Sequence, residues 1–133
     1  MESEKREYQR IKIDAISQFF VSNEDRYEGD FEGIIDNISE EGIGVIVSDS
    51  KYFPLIDSLD LKKQFFFQAI DEYTVFRKET SDVFQGKAMI LRTIKKDDHY
   101  YLGCKITDSN HDLQEYISRR KIAFFIDGMA THK

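Results

Sequence analysis

Alternating apolar and polar residues predict β-strands along much of the chain. From Ile11 to Val21, small or apolar side chains occupy every second position, as in a strand with one buried face. A second such stretch runs from Val83 to Ile94 and, after the charged turn 95–99, returns from Tyr100 to Ile106. This arrangement predicts a hairpin. The phenylalanine-rich run 62–70 predicts one more strand.

Two further strands joined by a tight turn are predicted between Phe31 and Val47. The apolar runs Phe31–Ile38 and Ile43–Val47 are rich in β-branched residues. The connecting sequence, NISEEG, contains Asn and Ser, whose side chains can hydrogen-bond to nearby backbone groups. Gly42 ends the turn, and we expect it to adopt a positive φ. Taken alone, this turn is explained by structure without any binding role.

The end of the sequence predicts one helix. Residues 109–112 have the spacing of a helix-capping sequence, and apolar residues then recur at helical spacing until the basic run 119–121. The regions 48–61 and 71–82 predict, respectively, an irregular connection and a long hairpin connection of unassigned conformation. About six strands followed by one helix, without β–α–β alternation, predict an antiparallel barrel or closed sheet with a packed helix.

Length and charge narrow the class of protein. The 133 residues suffice for one domain with a hydrophobic core. No apolar run approaches the roughly 18 residues of a membrane span, so we expect a cytoplasmic protein without membrane insertion. The net charge of −6 at pH 7 argues against binding to a nucleic-acid polymer, because such binders usually carry a basic surface.

Side chains suited to catalysis or metal binding are scattered. His99, His111 and His132 show no metal-ligand spacing, and neither a GxSxG sequence nor a glycine-rich phosphate loop is present. The single cysteine, Cys104, lies on the apolar face of a predicted strand, which favours a buried role over a nucleophilic one. We therefore predict no enzymatic activity, no metal and no cofactor.

Two short motifs give the chain a family resemblance. Arg6 and Arg10 form an RxxxR sequence, and Asn37, Ser39 and Gly42 form an NxSxxG sequence further along. In this order the two motifs resemble those of the bacterial PilZ domain family. The resemblance implies a mainly β single domain over 1–133, a six-stranded antiparallel β-barrel with a C-terminal α-helix. Its predicted parts are a flexible ligand-binding arm (1–10), the barrel (11–107), the helix (108–121) and a tail (122–133).

The resemblance also implies a ligand, the bacterial second messenger cyclic di-GMP. Arginine suits it because a guanidinium matches both phosphate oxygens and the O6 and N7 acceptors of guanine. Asn37 and Ser39 offer further hydrogen bonds, and Gly42 lets the ligand or the arm approach the backbone closely. Many PilZ domains have aspartate at the position of Asn37. Lys5 and Asp36 are possible additional ligand-binding residues, although alternation along a strand directs Asp36 to the side opposite Asn37.

The sequence leaves three functions open. The first is a cyclic di-GMP receptor that acts on an unidentified downstream protein, in motility, pilus, exopolysaccharide or virulence control. The second is a PilZ-like interaction module that binds no nucleotide, against which the arginine pair argues. The third is a single-stranded nucleic-acid binder: eleven phenylalanines and seven tyrosines favour it, and the acidic charge disfavours it.

Overall fold

Six antiparallel strands form a closed barrel in the computed structural model, which describes residues 10–23 and 26–131. Neighbouring strands around the barrel follow the order β1-β2-β3-β6-β5-β4, and β4 pairs back with β1. This architecture confirms the predicted mainly β fold with a C-terminal helix. The strands are β1 (Ile11–Asn23), β2 (Arg26–Ile38), β3 (Gly42–Val47), β4 (Gln64–Val75), β5 (Lys78–Lys95) and β6 (Tyr100–Asp108).

The barrel interior is filled by the apolar face of each alternating strand. Phe19 lies at the centre of an aromatic cluster: its ring stacks on Phe31 at 4.8 Å between centroids and meets the edge of Phe65 at 5.3 Å. Phe67 is buried on the same inner face, whereas Phe66 between them lies on the outside. The period of two along a strand therefore divides the three adjacent phenylalanines between the two faces.

The connection 48–61 is more regular than the sequence predicts. A 3-10 turn at Ser50–Tyr52 leads into a short helix, α1 (Phe53–Ser58), which buries Ile56 against the barrel core. Pro54 lies in the first turn of α1, where a missing backbone N–H breaks no helical hydrogen bond. The proline therefore starts this helix, although in the sequence it predicts irregular structure.

The connection 71–82 is a tight hairpin between two long strands. β4 extends to Val75 and β5 begins at Lys78, so only two residues form the turn. Those residues, Phe76 and Arg77, have φ values of 54° and 61°. Positive φ at both positions is the geometry of a two-residue hairpin turn, which usually contains Gly, Asn or Asp. Because neither residue is of that kind, the turn is not recognisable from the sequence.

The C-terminal helix, α2 (His111–Thr131), extends well beyond the predicted end at 121. Asn110 caps it, since its Oδ1 accepts a hydrogen bond of 2.8 Å from the backbone N–H of Leu113. The run 119–121 was predicted to mark the helix end, but its three cations pair with acidic side chains outside the helix. The predicted tail is thus helical as far as Thr131. No helix among the described residues is long and apolar enough to cross a membrane.

A buried carboxylate attaches α2 to the barrel. Asp71 on β4 is 1% exposed and accepts hydrogen bonds from the Tyr116 hydroxyl at 2.5 Å and from Arg120 Nε at 2.7 Å. The Arg120 guanidinium also lies 4.1 Å from the centre of the Tyr73 ring. Burial, followed by the hydrogen bond to Asp71, raises the pKa of Tyr116, so its hydroxyl stays protonated as a donor. A buried charge is tolerated only when it is paired in this way.

Replacing Tyr116 with phenylalanine should lower the free energy of unfolding by about 1.5–3 kcal/mol, because a buried carboxylate then loses a hydrogen-bond donor. Thermal melts followed by circular dichroism measure this change. Tyr27→Phe is the matched control. Because Tyr27 is 66% exposed, this variant should have the same melting temperature as the wild type. Equal melting temperatures for Tyr116→Phe and the wild type would show that Asp71 does not depend on this donor.

Candidate functional site

The pairing of β1 with β2 brings Arg10 next to Asn37. Lys12 is the register partner of Asn37, and Arg10 lies just before β1 begins. The Arg10 Nη1 donates a hydrogen bond of 2.7 Å to Asn37 Oδ1, although 27 residues separate them in sequence. One residue from each of the two sequence motifs thus meets on the outer surface of the barrel.

Gly42 accommodates the Arg10 guanidinium. A Cβ atom at Gly42 would lie 2.7 Å from Arg10 Nη2 and 2.8 Å from the backbone oxygen of Cys104. The predicted close approach of the arm to this glycine is observed for Arg10, the one residue of the arm that the structure describes. The predicted positive φ is wrong, because among the glycines of the described residues only Gly29 has one. Gly42 begins β3 in an extended conformation, and lack of space, rather than backbone strain, requires glycine there.

Ser39 shapes the turn from inside the protein. Its side chain is fully buried, and its Oγ accepts a hydrogen bond of 3.3 Å from the backbone N–H of Glu41. The Ser39 backbone N–H donates to the Gly42 carbonyl at 2.9 Å, which closes the turn. In this conformation the Ser39 hydroxyl organises the backbone beside Arg10 and does not reach the outer surface.

Asp36 lies beside Asn37, contrary to the prediction from strand alternation. The register between β2 and β3 shifts by one residue between Ile35 and Asn37. This bulge places Asp36 and Asn37 consecutively between the buried Ile35 and Ile38. Asn37 Nδ2 is 3.4 Å from Asp36 Oδ2, so a carboxylate adjoins the amide after all. Asp36 also forms an ion pair with Lys12, and the hydrogen bond within it raises the pKa of Lys12.

Other residues of this surface carried no sequence signal. Tyr101 on β6 places its hydroxyl 3.4 Å from Asn37 Nδ2, above Gly44 of β3. Arg92 on β5 lies over Gly103 of β6. The sequence identified these positions only as strand residues, because which strands become neighbours depends on the closure of the whole barrel.

The remaining predicted residues fall in three places. Lys5 and Arg6 lie outside the described residues, as does most of the predicted arm. Cys104 is buried, and desolvation raises the pKa of its thiol to about 12, so it stays protonated at neutral pH. Lys121 of α2 pairs with Glu40, which lies within the NxSxxG turn. No group of acidic, histidine or cysteine side chains in the described part of the chain is arranged to hold a metal ion.

Comparison with solved structures identifies the fold. No protein-family profile matches the sequence, and no curated protein is similar to it in sequence. In structure the chain is similar to the Bacillus subtilis inhibitor of motility MotI/DgrA (17% identity, TM-score 0.58, covering 90% of this chain and 53% of that one). It is also similar to the PilZ domain of Escherichia coli YcgR with c-di-GMP (15%, 0.55, 97% and 96%) and to the K. pneumonia MrkH–c-di-GMP complex (12%, 0.64, 96% and 54%).

These similarities confirm, at the level of the fold, the resemblance that the two motifs predict. The chain folds as a PilZ-like domain. It spans about half the length of MotI/DgrA and of MrkH, and nearly all of the YcgR PilZ domain.

Proposed function

We propose that this protein is a cyclic di-GMP receptor without catalytic activity. In its ligand site Arg6, Arg10 and Asn37 contact the ligand, and Ser39 and Gly42 shape the turn that positions them. The observation that carries this proposal is the position of the Arg10 guanidinium. Its Nη1 donates a hydrogen bond of 2.7 Å to Asn37 Oδ1, and Gly42, which has no side chain, leaves room for it. An arginine fixed in this way has lost part of its side-chain freedom before any ligand arrives, which favours binding. A guanidinium at such a place suits either a phosphate or a guanine edge.

Asn37 is poised to exchange its present partners for a ligand. Its Nδ2 is 3.4 Å from both Asp36 Oδ2 and Tyr101 Oη, at the long limit of a hydrogen bond. Moving these N–H groups to a guanine acceptor therefore costs little. Asp36, on the same surface, could accept from guanine N–H groups, as the aspartate of many PilZ domains is expected to do. This supports keeping Asp36 as an additional ligand-binding residue.

The structural comparisons support the choice of ligand. Two of the similar structures, the YcgR PilZ domain and MrkH, were solved with c-di-GMP. The combination of that fold with an RxxxR sequence and an NxSxxG turn, meeting at Arg10 and Asn37, supports a ligand site over a purely structural turn.

Isothermal titration of the purified protein with cyclic di-GMP tests this function. We expect saturable binding, whereas GTP and cyclic GMP should bind far more weakly because neither presents two guanines and two phosphates in one ring. Absence of heat and of any shift in melting temperature with cyclic di-GMP, at protein concentrations of tens of micromolar, would contradict the proposal.

An interaction module that needs no nucleotide is the second candidate function. The surface of α2 favours it, because Ile122 and Phe125 are 61% and 67% exposed and lie one turn apart. The two functions are compatible if a partner protein binds the α2 surface of a cyclic di-GMP receptor. The titration with cyclic di-GMP distinguishes them, because an interaction module that needs no nucleotide would give no binding signal.

We further propose that the ligand orders the rest of the arm 1–10 on the barrel, starting from Arg10, which Asn37 already holds. Arg6 then joins Arg10 at the site with Lys5 nearby, and a downstream protein recognises the composite surface. Ligand-induced ordering of a segment is a common signalling device. Saturating cyclic di-GMP should therefore slow trypsin cleavage after Lys5 and Arg6 at least tenfold. Cleavage after the exposed Arg26, at the end of β2 away from Asn37, is the internal control. Equal arm cleavage with and without bound ligand would rule out the ordering.

A further inference from the structure

Two neighbouring glycines, Gly44 and Gly103, form a strip without side chains that extends from the proposed site across the barrel surface. Gly44 of β3 is the register partner of Asn37 on β2, and it also pairs with Gly103 on β6. Gly103 in turn pairs with Arg92 on β5. Two glycines therefore lie side by side between Asn37 and Arg92. Since neighbouring strands are roughly 4.8 Å apart, this row extends about 14 Å from β2 to β5.

Arg92 reaches over this strip from the side opposite Arg10. Its Cγ and Nε both lie 3.1 Å from the position that a Cβ at Gly103 would occupy, so the side chain crosses β6 towards β3. Arg92 is exposed and forms no ion pair with any residue in 10–23 or 26–131. It is thus an available guanidinium in a protein whose net charge is −6.

Tyr101 forms one wall of the strip. Its register partners are Ile46 on β3 and Ile94 on β5, so the half-buried ring lies between apolar neighbours. The tip of the ring lies above Gly44, and its hydroxyl contacts Asn37. An aromatic ring held at the edge of a strip without side chains is a surface on which a nucleobase can stack.

The glycines beneath the two arginines lie close together, as contact of both arginines with one compact dianion requires. Arg10 lies over Gly42 and Arg92 lies over Gly103. Gly42 is two residues from Gly44 along β3, and Gly103 is one strand away from Gly44. Strand geometry therefore separates the two glycines by roughly 8 Å. Lys105, the register partner of Gly42, adds a third positive charge on the same surface.

From these contacts we infer that the ligand site extends onto β6 and β5, with Tyr101 as the stacking surface for one guanine and Arg92 as the guanidinium for a phosphate on the side away from Arg10. Neither residue belongs to the RxxxR or NxSxxG sequence. The inference rests on the proposed binding of cyclic di-GMP, and it adds that the two motifs alone provide only part of the affinity.

Titrations of four site variants and one control variant with cyclic di-GMP test the extension. Arg92→Ala should raise Kd at least tenfold, and Arg92→Lys should recover only part of that loss, because lysine keeps the charge without the fork. Tyr101→Leu should also raise Kd at least tenfold, whereas Tyr101→Phe, which keeps the ring, should stay within a factor of about three of the wild type. Arg26→Ala, an exposed arginine at the far end of β2, is the control and should bind as the wild type does.

Gly103→Ala provides a test that removes no charge and no ring. Its Cβ would displace only the flexible Arg92 side chain, so the melting temperature should change little while Kd rises. If Tyr101→Leu does not fold, Gly103→Ala still tests whether the ligand site extends onto β5 and β6. Wild-type affinity in Arg92→Ala and Gly103→Ala, with weakened binding in Arg10→Ala, would overturn the extension and leave the proposed function standing. Failure of the wild-type protein to bind would overturn both.

Discussion

Replacing Arg10 with alanine is expected to weaken cyclic di-GMP binding by about 2–4 kcal/mol, or roughly 30- to 1,000-fold in Kd. The variant loses charge-assisted hydrogen bonds to the ligand, and it also releases Asn37, whose Oδ1 accepts from Arg10 in the unliganded protein. Two of the proposed ligand contacts thus fail together. Isothermal titration under the conditions used for the wild type measures the change.

Arg10→Lys separates charge from geometry. Lysine keeps the positive charge but lacks the planar fork that donates two parallel hydrogen bonds to a phosphate or a guanine edge, so we expect most of the affinity to be lost. The melting temperature of either variant should fall only slightly, because Arg10 precedes β1 and is only half buried. Wild-type affinity in both variants would remove Arg10 from the ligand site, whatever its contact with Asn37.

Local patterns in the sequence predicted most of the fold. Strands β1, β4 and β6 alternate between a buried and a more exposed face over most of their length, and this period is visible without knowing the strand's neighbours. The errors occurred where tertiary contacts override local signals. The cations at 119–121 resemble a helix end until Asp82, Asp71 and Glu40 are seen to pair with them. The turn at Phe76 and Arg77 adopts positive φ without glycine or asparagine because long strands on both sides impose it.

Of the candidate site, only the residues of the two motifs could be predicted from the sequence. That Arg10 meets Asn37 follows from the pairing of β1 with β2, and the motif resemblance anticipated it. Asp36 lies beside Asn37 because of a β-bulge, and the alternation of residues along a strand does not show where a bulge occurs. Tyr101 and Arg92 lie on strands that reach the site only when β3 pairs with β6 and β6 with β5. Such long-range pairing is invisible to any reading of local periodicity.

The turn around Gly42 is fixed from several directions, which determines what a substitution there does. Ser39 N–H donates to the Gly42 carbonyl at 2.9 Å, and the backbone N–H of Ile106 donates to the Glu41 carbonyl at 2.9 Å. Lys121 of α2 holds Glu40 by an ion pair. The backbone at Gly42 therefore cannot move away from β6 without breaking hydrogen bonds, and the Cys104 carbonyl oxygen that a Cβ would meet is equally fixed in β6.

Gly42→Val is accordingly expected to lower the free energy of unfolding by about 3 kcal/mol, seen as a fall in melting temperature of roughly 10 °C. Overpacking against a backbone oxygen causes this loss, since relief requires part of the β3–β6 pairing to open. The same side chain occupies the place of the Arg10 guanidinium, 2.7 Å from the Cβ position, so cyclic di-GMP binding should be abolished as well. Thermal melts and titration at a temperature where the variant remains folded measure the two effects separately.

Gly44→Ala is the matched control for this effect, because it lies two residues along the same strand. Its Cβ would meet only the ends of the Tyr101 and Asn37 side chains, which can rotate away. We therefore expect its melting temperature to fall much less than that of Gly42→Val, although its ligand affinity should drop because Asn37 moves. A melting temperature for Gly42→Val equal to that of the wild type, or above that of Gly44→Ala, would show that the clash with the Cys104 carbonyl is relieved and that this turn is not rigid.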